Sequence, residues 1–144
     1  PLYLCLQGIG YPDDFNSFVF GKSKKWKSVT PFIMARHPKL RGETMGGVVP
    51  KKVIDSPVDQ LKTELLKRGY PQIETITNEP ELVLHGRKIR WLQFRRWRMK
   101  GKPPVNSIPF GFRINFCTDV QGPILAGYAS HFGLGMFTPF DEAP

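Results

Sequence analysis

The hydrophobic pattern of this chain runs mostly in twos, with one exception. Leu2, Leu4 and Leu6 alternate with Tyr3, Cys5 and Gln7, the period of a half-buried strand, until Gly8 and Gly10 end the run. Residues 28–36 (S-V-T-P-F-I-M-A-R) read as a second strand, entered at Lys27, with Pro31 near its start or edge. Ile73 to Thr77 is a short β-branched strand closed by Asn78-Glu79-Pro80. Phe110, Phe112, Ile114 and Phe116 alternate without a break and mark a strand with one apolar face. The exception is 57–68, where Val58, Leu61 and Leu65 recur at helical spacing. Ser56 is its N-cap, Pro57 takes the first helical position and Asp59 approximates a capping box. Lys67 and Arg68 suit the negative end of the helix dipole, and Gly69 followed by Pro71 stops it.

Turn chemistry supplies the remaining elements. The loop Gly101 to Ser107 (G-K-P-P-V-N-S) predicts a hairpin between strands at 89–99 and 108–117, with a basic tip. Pro123 opens a short helix at 123–130, and Gly133 and Gly135 lead into a last strand at 134–138. In order these are strand 27–36, helix 57–68, strand pair, short helix and strand. That is an α+β chain with the ferredoxin-like βαββαβ order also used by RNA-recognition folds, and 2–7 and 73–77 add extra strands. At 144 residues the chain is one domain's worth, with enough length to bury a core without metal or disulfide staples. It opens on Pro1 instead of Met, which implies a piece excised from a longer polypeptide.

Charge changes the picture from fold to partner. The net charge is +9, from 21 Lys and Arg against 12 Asp and Glu, and this favours polyanions. From Leu82 to Thr118 there is no acidic residue, while Arg87, Lys88, Arg90, Arg95, Arg96, Arg98, Lys100, Lys102 and Arg113 are all basic. Trp91, Phe94 and Trp97 sit among them. Two readings fit this stretch: an RNA surface where bases stack and phosphates pair, which is preferred, or a strand with aromatics in the core and arginines in water. Lys22, Lys24, Lys25 and Lys27 around Trp26 read as a solvated face. No run reaches the eighteen or so residues of a membrane span, and the Arg-aromatic stretch lacks the helical moment of an interfacial anchor, so no membrane partner is expected. Cys5 and Cys117 have no second cysteine or histidine at ligand spacing, which predicts no zinc site, no disulfide framework and a reducing cytoplasm. Gly8-x-Gly10 is no dinucleotide loop, since its third glycine would be Asp13. Gly21-Lys22-Ser23 is no P-loop, since its first glycine would be Asn16.

The densest stretch is Gly122 to Phe137 (G-P-I-L-A-G-Y-A-S-H-F-G-L-G-M-F), with four glycines and His131. Glycine permits positive φ and close backbone approach, so this segment in a basic chain suggests contact with phosphate; a turn and a final strand is the alternative. His37 precedes Pro38, which holds it extended at an element boundary. From there it points either at solvent or into a cleft.

Trp26 to Phe32 (W-K-S-V-T-P-F), Arg36 to Lys39 (R-H-P-K) and the late glycine-rich stretch together resemble the C-terminal part of the fused Cascade subunit of type I-U, or I-G, CRISPR systems. The resemblance covers about Gly8 to Phe137. In that family a backbone-subunit half precedes an RNA-processing half of the RAMP superfamily. It implies a single RAMP-type domain over 1–144 and a CRISPR repeat endoribonuclease that makes guide RNA in antiviral defence without metal or other cofactor. Its partners would be repeat or guide RNA and other Cascade subunits. The glycine-rich loop (Gly133, Gly135) would touch RNA and a basic hairpin (Arg95, Arg96, Arg98, Lys100, Lys102) would engage the repeat stem. The 2′-hydroxyl attacks the neighbouring phosphate, leaving a cyclic phosphate and a 5′-hydroxyl. Histidine titrates near neutrality and suits both proton roles, so His37 and His131 are the candidate acid and base. Arg36, Lys39 and Arg41 are candidates for stabilising the pentacovalent phosphate. The other class of function is an RNA-binding module that holds guide RNA without cutting it.

Overall fold

The computed structural model describes residues 5, 6, 8–11, 14, 15, 17–41, 52–95 and 107–141. In chain order its elements are β1 (Lys22–Ser28), β2 (Phe32–Ile33), β3 (Lys39–Arg41), β4 (Lys52–Ile54), α1 (Pro57–Lys67), β5 (Ile73–Asn78), β6 (Glu81–Leu84), β7 (Arg87–Arg90), β8 (Pro109–Phe110), β9 (Phe112–Gln121), β10 (Ile124–Leu125) and β11 (Met136–Pro139). Short 3₁₀ turns occupy Trp91–Phe94 and Ser130–Phe132. The chain is α+β. Five strands form one antiparallel sheet in the order β10-β11-β1-β9-β5, and α1 packs on one face of it. Three two-stranded pairs, β2-β8, β3-β4 and β6-β7, are appended.

The helix forms where its signals place it, because they are local. Ser56 Oγ accepts from the Asp59 amide at 3.2 Å, and the Asp59 carboxylate accepts from the Ser56 amide at 3.0 Å, so two orphan donors are satisfied reciprocally. Gly69, at φ +82°, provides the left-handed residue after the Arg68 C-cap. Leu61 and Leu65 are fully buried and Val58 is half-buried. They meet Trp26 of β1, Phe112, Ile114 and Phe116 of β9, Phe137 of β11 and Ile73 of β5 in one core. Phe112, Ile114 and Phe116 keep the strict alternation read from the sequence.

Several expectations are corrected. The strand expected at 27–36 is two: β1 begins earlier, in the lysine run, and the chain then leaves the sheet at Val29 and Thr30, whose amides bond the Met136 carbonyl. Pro31 supplies no donor, and β2 pairs elsewhere, with β8. Among the described residues, 89–95 and 108–117 do not form a hairpin. β9 pairs with β1 and β5, and β7 pairs with β6 through a tight turn at His85 and Gly86, both at positive φ. After β7 the chain coils so that Trp91 is buried, donating its indole N–H to the Glu79 carbonyl at 2.7 Å. The short helix expected at 123–130 is absent: Ile124–Leu125 is an edge strand, and positive φ at Gly127 (+91°) and Ala129 (+59°) excludes helical continuation. The run at 73–77 is an edge strand of the main sheet, not an addition to it. Of 2–7, only Cys5 and Leu6 are described, and neither is in a strand.

Candidate nucleic-acid interface

The two stretches that stand out in the sequence are joined by the fold. The Gly135 amide donates to the Pro31 carbonyl at 2.9 Å and the Tyr128 amide to the Ile33 carbonyl at 2.8 Å. Thr30 bridges them further, its hydroxyl donating to the Gly133 carbonyl at 2.7 Å and accepting from the Met136 amide at 2.8 Å. Such close contact needs bare backbone. A Cβ on Gly135 would lie 1.7 Å from the Ala126 carbonyl oxygen, and one on Gly127 would lie 2.7 Å from that of Ile33. Gly135 is therefore buried against its own chain, while Gly133 is half-buried and ends the 3₁₀ turn at φ +86°.

A groove of about 310 Å³ opens beside this junction, lined by Ala35, Arg36, Gln60, Lys67, Arg68 and Gly127 among others. Gln60 sets one wall. Buried in α1, its side-chain amide donates to the carbonyls of Arg36 and Asp55, each at 3.0 Å, and its oxygen accepts from the Arg36 amide at 3.3 Å. Arg36 then forks onto Asp55 through Nε and Nη2, both at 3.1 Å, and these bonds, with the carboxylate's charge, push its pKa further up. Glu64 sets the other wall: it accepts the Gly127 amide at 2.9 Å and pairs with Arg68, which also donates to the Leu125 carbonyl at 2.7 Å. The rim therefore holds Arg36, Lys67 and Arg68, of which Arg36 is paired with Asp55 and Arg68 with Glu64.

His37 follows Arg36 and is exposed; His131 is exposed in the 3₁₀ turn, its ring centroid 4.1 Å from that of Phe132. The loop that carries His131 is bonded to the chain at 30–33, a few residues before His37, and among the described residues neither imidazole has a hydrogen-bonded partner to orient it. Phe132 is 81 % exposed and Tyr128 40 % exposed on the same pinned loop. Lys39 and Arg41 lie in β3, paired to Ile54 and Lys52 of β4. Arg95 is exposed, with its Nε 3.3 Å from Ser107 Oγ. Arg96, Arg98, Lys100 and Lys102, with Trp97, lie outside the described residues. Trp91 follows the second reading of its stretch: it is core.

A second basic surface is not evident from the linear sequence. On the sheet face away from α1, Lys27 stands across from Arg113 and Lys25 across from Asn115, and Phe140 continues the parity of β11 beside them. The alternation Lys25-Trp26-Lys27 and Phe112-Arg113-Ile114 divides each strand between two faces, and register, with Trp26 and Ile114 buried, puts the intervening cations together on the other side.

Among the described residues no group of three His, Cys, Asp or Glu could hold a metal ion, and no helix is long and apolar enough to cross a membrane. Comparison with protein-family models, with curated proteins and with solved structures finds no match for this chain.

Proposed function

We propose that this domain binds single-stranded RNA at the groove between α1, the segment after β2 and the glycine-rich loop. The observation that carries the reading is that Arg36, Lys67 and Arg68 line one groove with Gly127, beside which Tyr128 is exposed on the pinned loop that also presents Phe132. Cations meet phosphates, and exposed rings on a fixed backbone give bases a stacking surface at little ordering cost. The architecture fits a ferredoxin-like domain: β1, α1, β5, β9 and β11 follow one another as βαββ and a last strand, and the order β11-β1-β9-β5 is that of a ferredoxin-like sheet. In this reading β10 and the 3₁₀ turn stand where a second helix would cross.

A second reading, cleavage of CRISPR repeat RNA within a Cascade-type assembly, is favoured by the two exposed histidines on the joined segments. One would take the proton of the 2′-hydroxyl as it attacks the adjacent phosphorus, and the other would protonate the departing 5′-oxygen. Bound RNA would have to orient both rings, since no protein group among the described residues does.

Binding of labelled oligouridine and of repeat RNA, measured with wild type, Lys67→Gln and Phe132→Ala, tests the first reading. Loss of one stacked base is expected to weaken binding by about 1–3 kcal/mol; unchanged affinity in both variants contradicts it. Incubation of repeat RNA in EDTA with wild type, His37→Ala and His131→Ala tests the second. Proton transfer is worth about a hundredfold to ten-thousandfold, so cleavage that neither substitution slows removes the histidine assignment, and intact RNA with wild type leaves the binding module.

A further inference from the structure

The sheet face turned away from α1 is not used by the groove. Strand register arranges it in two rungs, Lys27–Arg113–Thr77 and Lys25–Asn115–Thr75, across β1, β9 and β5. The rungs are two residues apart, roughly 6.6 Å at the usual strand rise of about 3.3 Å. Phe140 follows β11 at the side of these rungs, its amide donating to the Lys25 carbonyl at 3.1 Å. Its half-buried ring lies 5.9 Å from Lys27 Nζ and 5.4 Å from Arg113 Cζ. The Arg113 guanidinium also pairs with Glu79, whose side chain is only 13 % exposed. The face is bounded on the β11 side, where the Phe18 carbonyl accepts the Thr138 hydroxyl and buries it.

A solvated sheet face needs only polarity. This one has more: two cations drawn to one aromatic ring, with Thr75, Thr77 and Asn115 as neutral donors and acceptors beside them. We infer that this face is a second contact surface for single-stranded RNA, with one base on Phe140, its flanking phosphates on Lys25 and Lys27, and neighbouring base edges on Asn115 and the threonines. The occupant follows from charge complementarity and the ring. A phosphate chain answers the lysines, and a base takes the cation-polarised ring. The inference rests on the RNA-binding reading of the groove and extends the path of the strand to the opposite side of the sheet.

Photo-crosslinking of the full chain to oligouridine carrying 4-thiouridine, followed by peptide mapping, separates the two surfaces. A crosslinked peptide containing Phe140 is expected. Phe140→Leu should bind about tenfold or more weakly, and Lys27→Gln should flatten the log-log salt slope by about 0.7, one phosphate contact. Melting curves check the fold of both, and Lys27→Gln with the crosslink map decides the matter if Phe140→Leu fails to fold. Crosslinks confined to the glycine-rich loop, with wild-type binding and an unchanged salt slope for Lys27→Gln, overturn the inference and leave the groove reading intact. A wild-type chain that binds no RNA overturns both.

Discussion

β9 turns Phe112, Ile114 and Phe116 toward α1 and Arg113, Asn115 and Cys117 away from it, and β1 repeats the division with Trp26 and Ser28 against Lys25 and Lys27. The inner side is accounted for by packing: every ring has neighbours, and even the buried Ser28 hydroxyl accepts the Phe112 amide at 2.9 Å. On the outer side Arg113 pairs with Glu79, and Lys27 lies over the Phe140 ring without entering the core. Residues that the fold does not need are where a partner leaves its mark, so the two faces should respond in opposite ways to substitution.

The largest effects belong to the inner side and the loop junction. Trp26→Ala should cost about 3–5 kcal/mol in urea denaturation. Gly135→Ala should approach that range, because positive φ and an overpacked backbone contact each cost about 1–3 kcal/mol. By contrast, Lys27→Gln should stay within about 0.5 kcal/mol of wild type. A destabilisation of Lys27→Gln comparable to that of Trp26→Ala would abolish the distinction between the faces.

Gln60→Ala comes next. It leaves the Arg36 and Asp55 carbonyls without their shared donor, at a cost of about 1–3 kcal/mol. It also frees the segment carrying Arg36 and His37, so RNA affinity should fall further than for a helix-surface variant of equal stability. Ser56→Ala, which removes half of the capping box, should cost about 1 kcal/mol and leave RNA affinity unchanged.

The smallest effect is in alkali. Partial burial pushes the Tyr70 hydroxyl above its ordinary value of about 10, ahead of the opposing charge of Arg68. The unfolded chain ionises first, so this contribution to stability is whole below pH of about 10 and declines as pH rises toward the folded value. Tyr70→Phe should flatten that part of the stability profile, and an unchanged alkaline slope would show that the ring is solvated.

What was legible in the sequence was what is local. The α1 caps lie within four residues of one another, and the β9 alternation is a property of one strand. The strand pairs were not legible, because choosing β5 and β1 as the partners of β9 is a long-range decision, and the basic run after Ile89 looked like a strand while Trp91 was being drawn into the core. The helix expected after Pro123 failed on backbone angles at Gly127 and Ala129 that no periodicity reports. The same limit applied to the site. Both the W-K-S-V-T-P-F and the glycine-rich stretches stand out, but the bonds from Gly135 to Pro31 and from Tyr128 to Ile33 that tie the glycine-rich loop to the chain at 31–33 are tertiary. In sequence the lysines of β1 read as a solvated face, since only register shows which residues they stand beside.

The central claim is that this chain binds RNA through fixed cationic and aromatic surfaces. The most direct test is the affinity of the wild-type chain for oligouridine across a range of salt concentrations. Three or more phosphate contacts at about 0.7 each should give a log-log slope of about −2 or steeper. Absence of binding at low salt, or binding that salt does not weaken, would contradict the account.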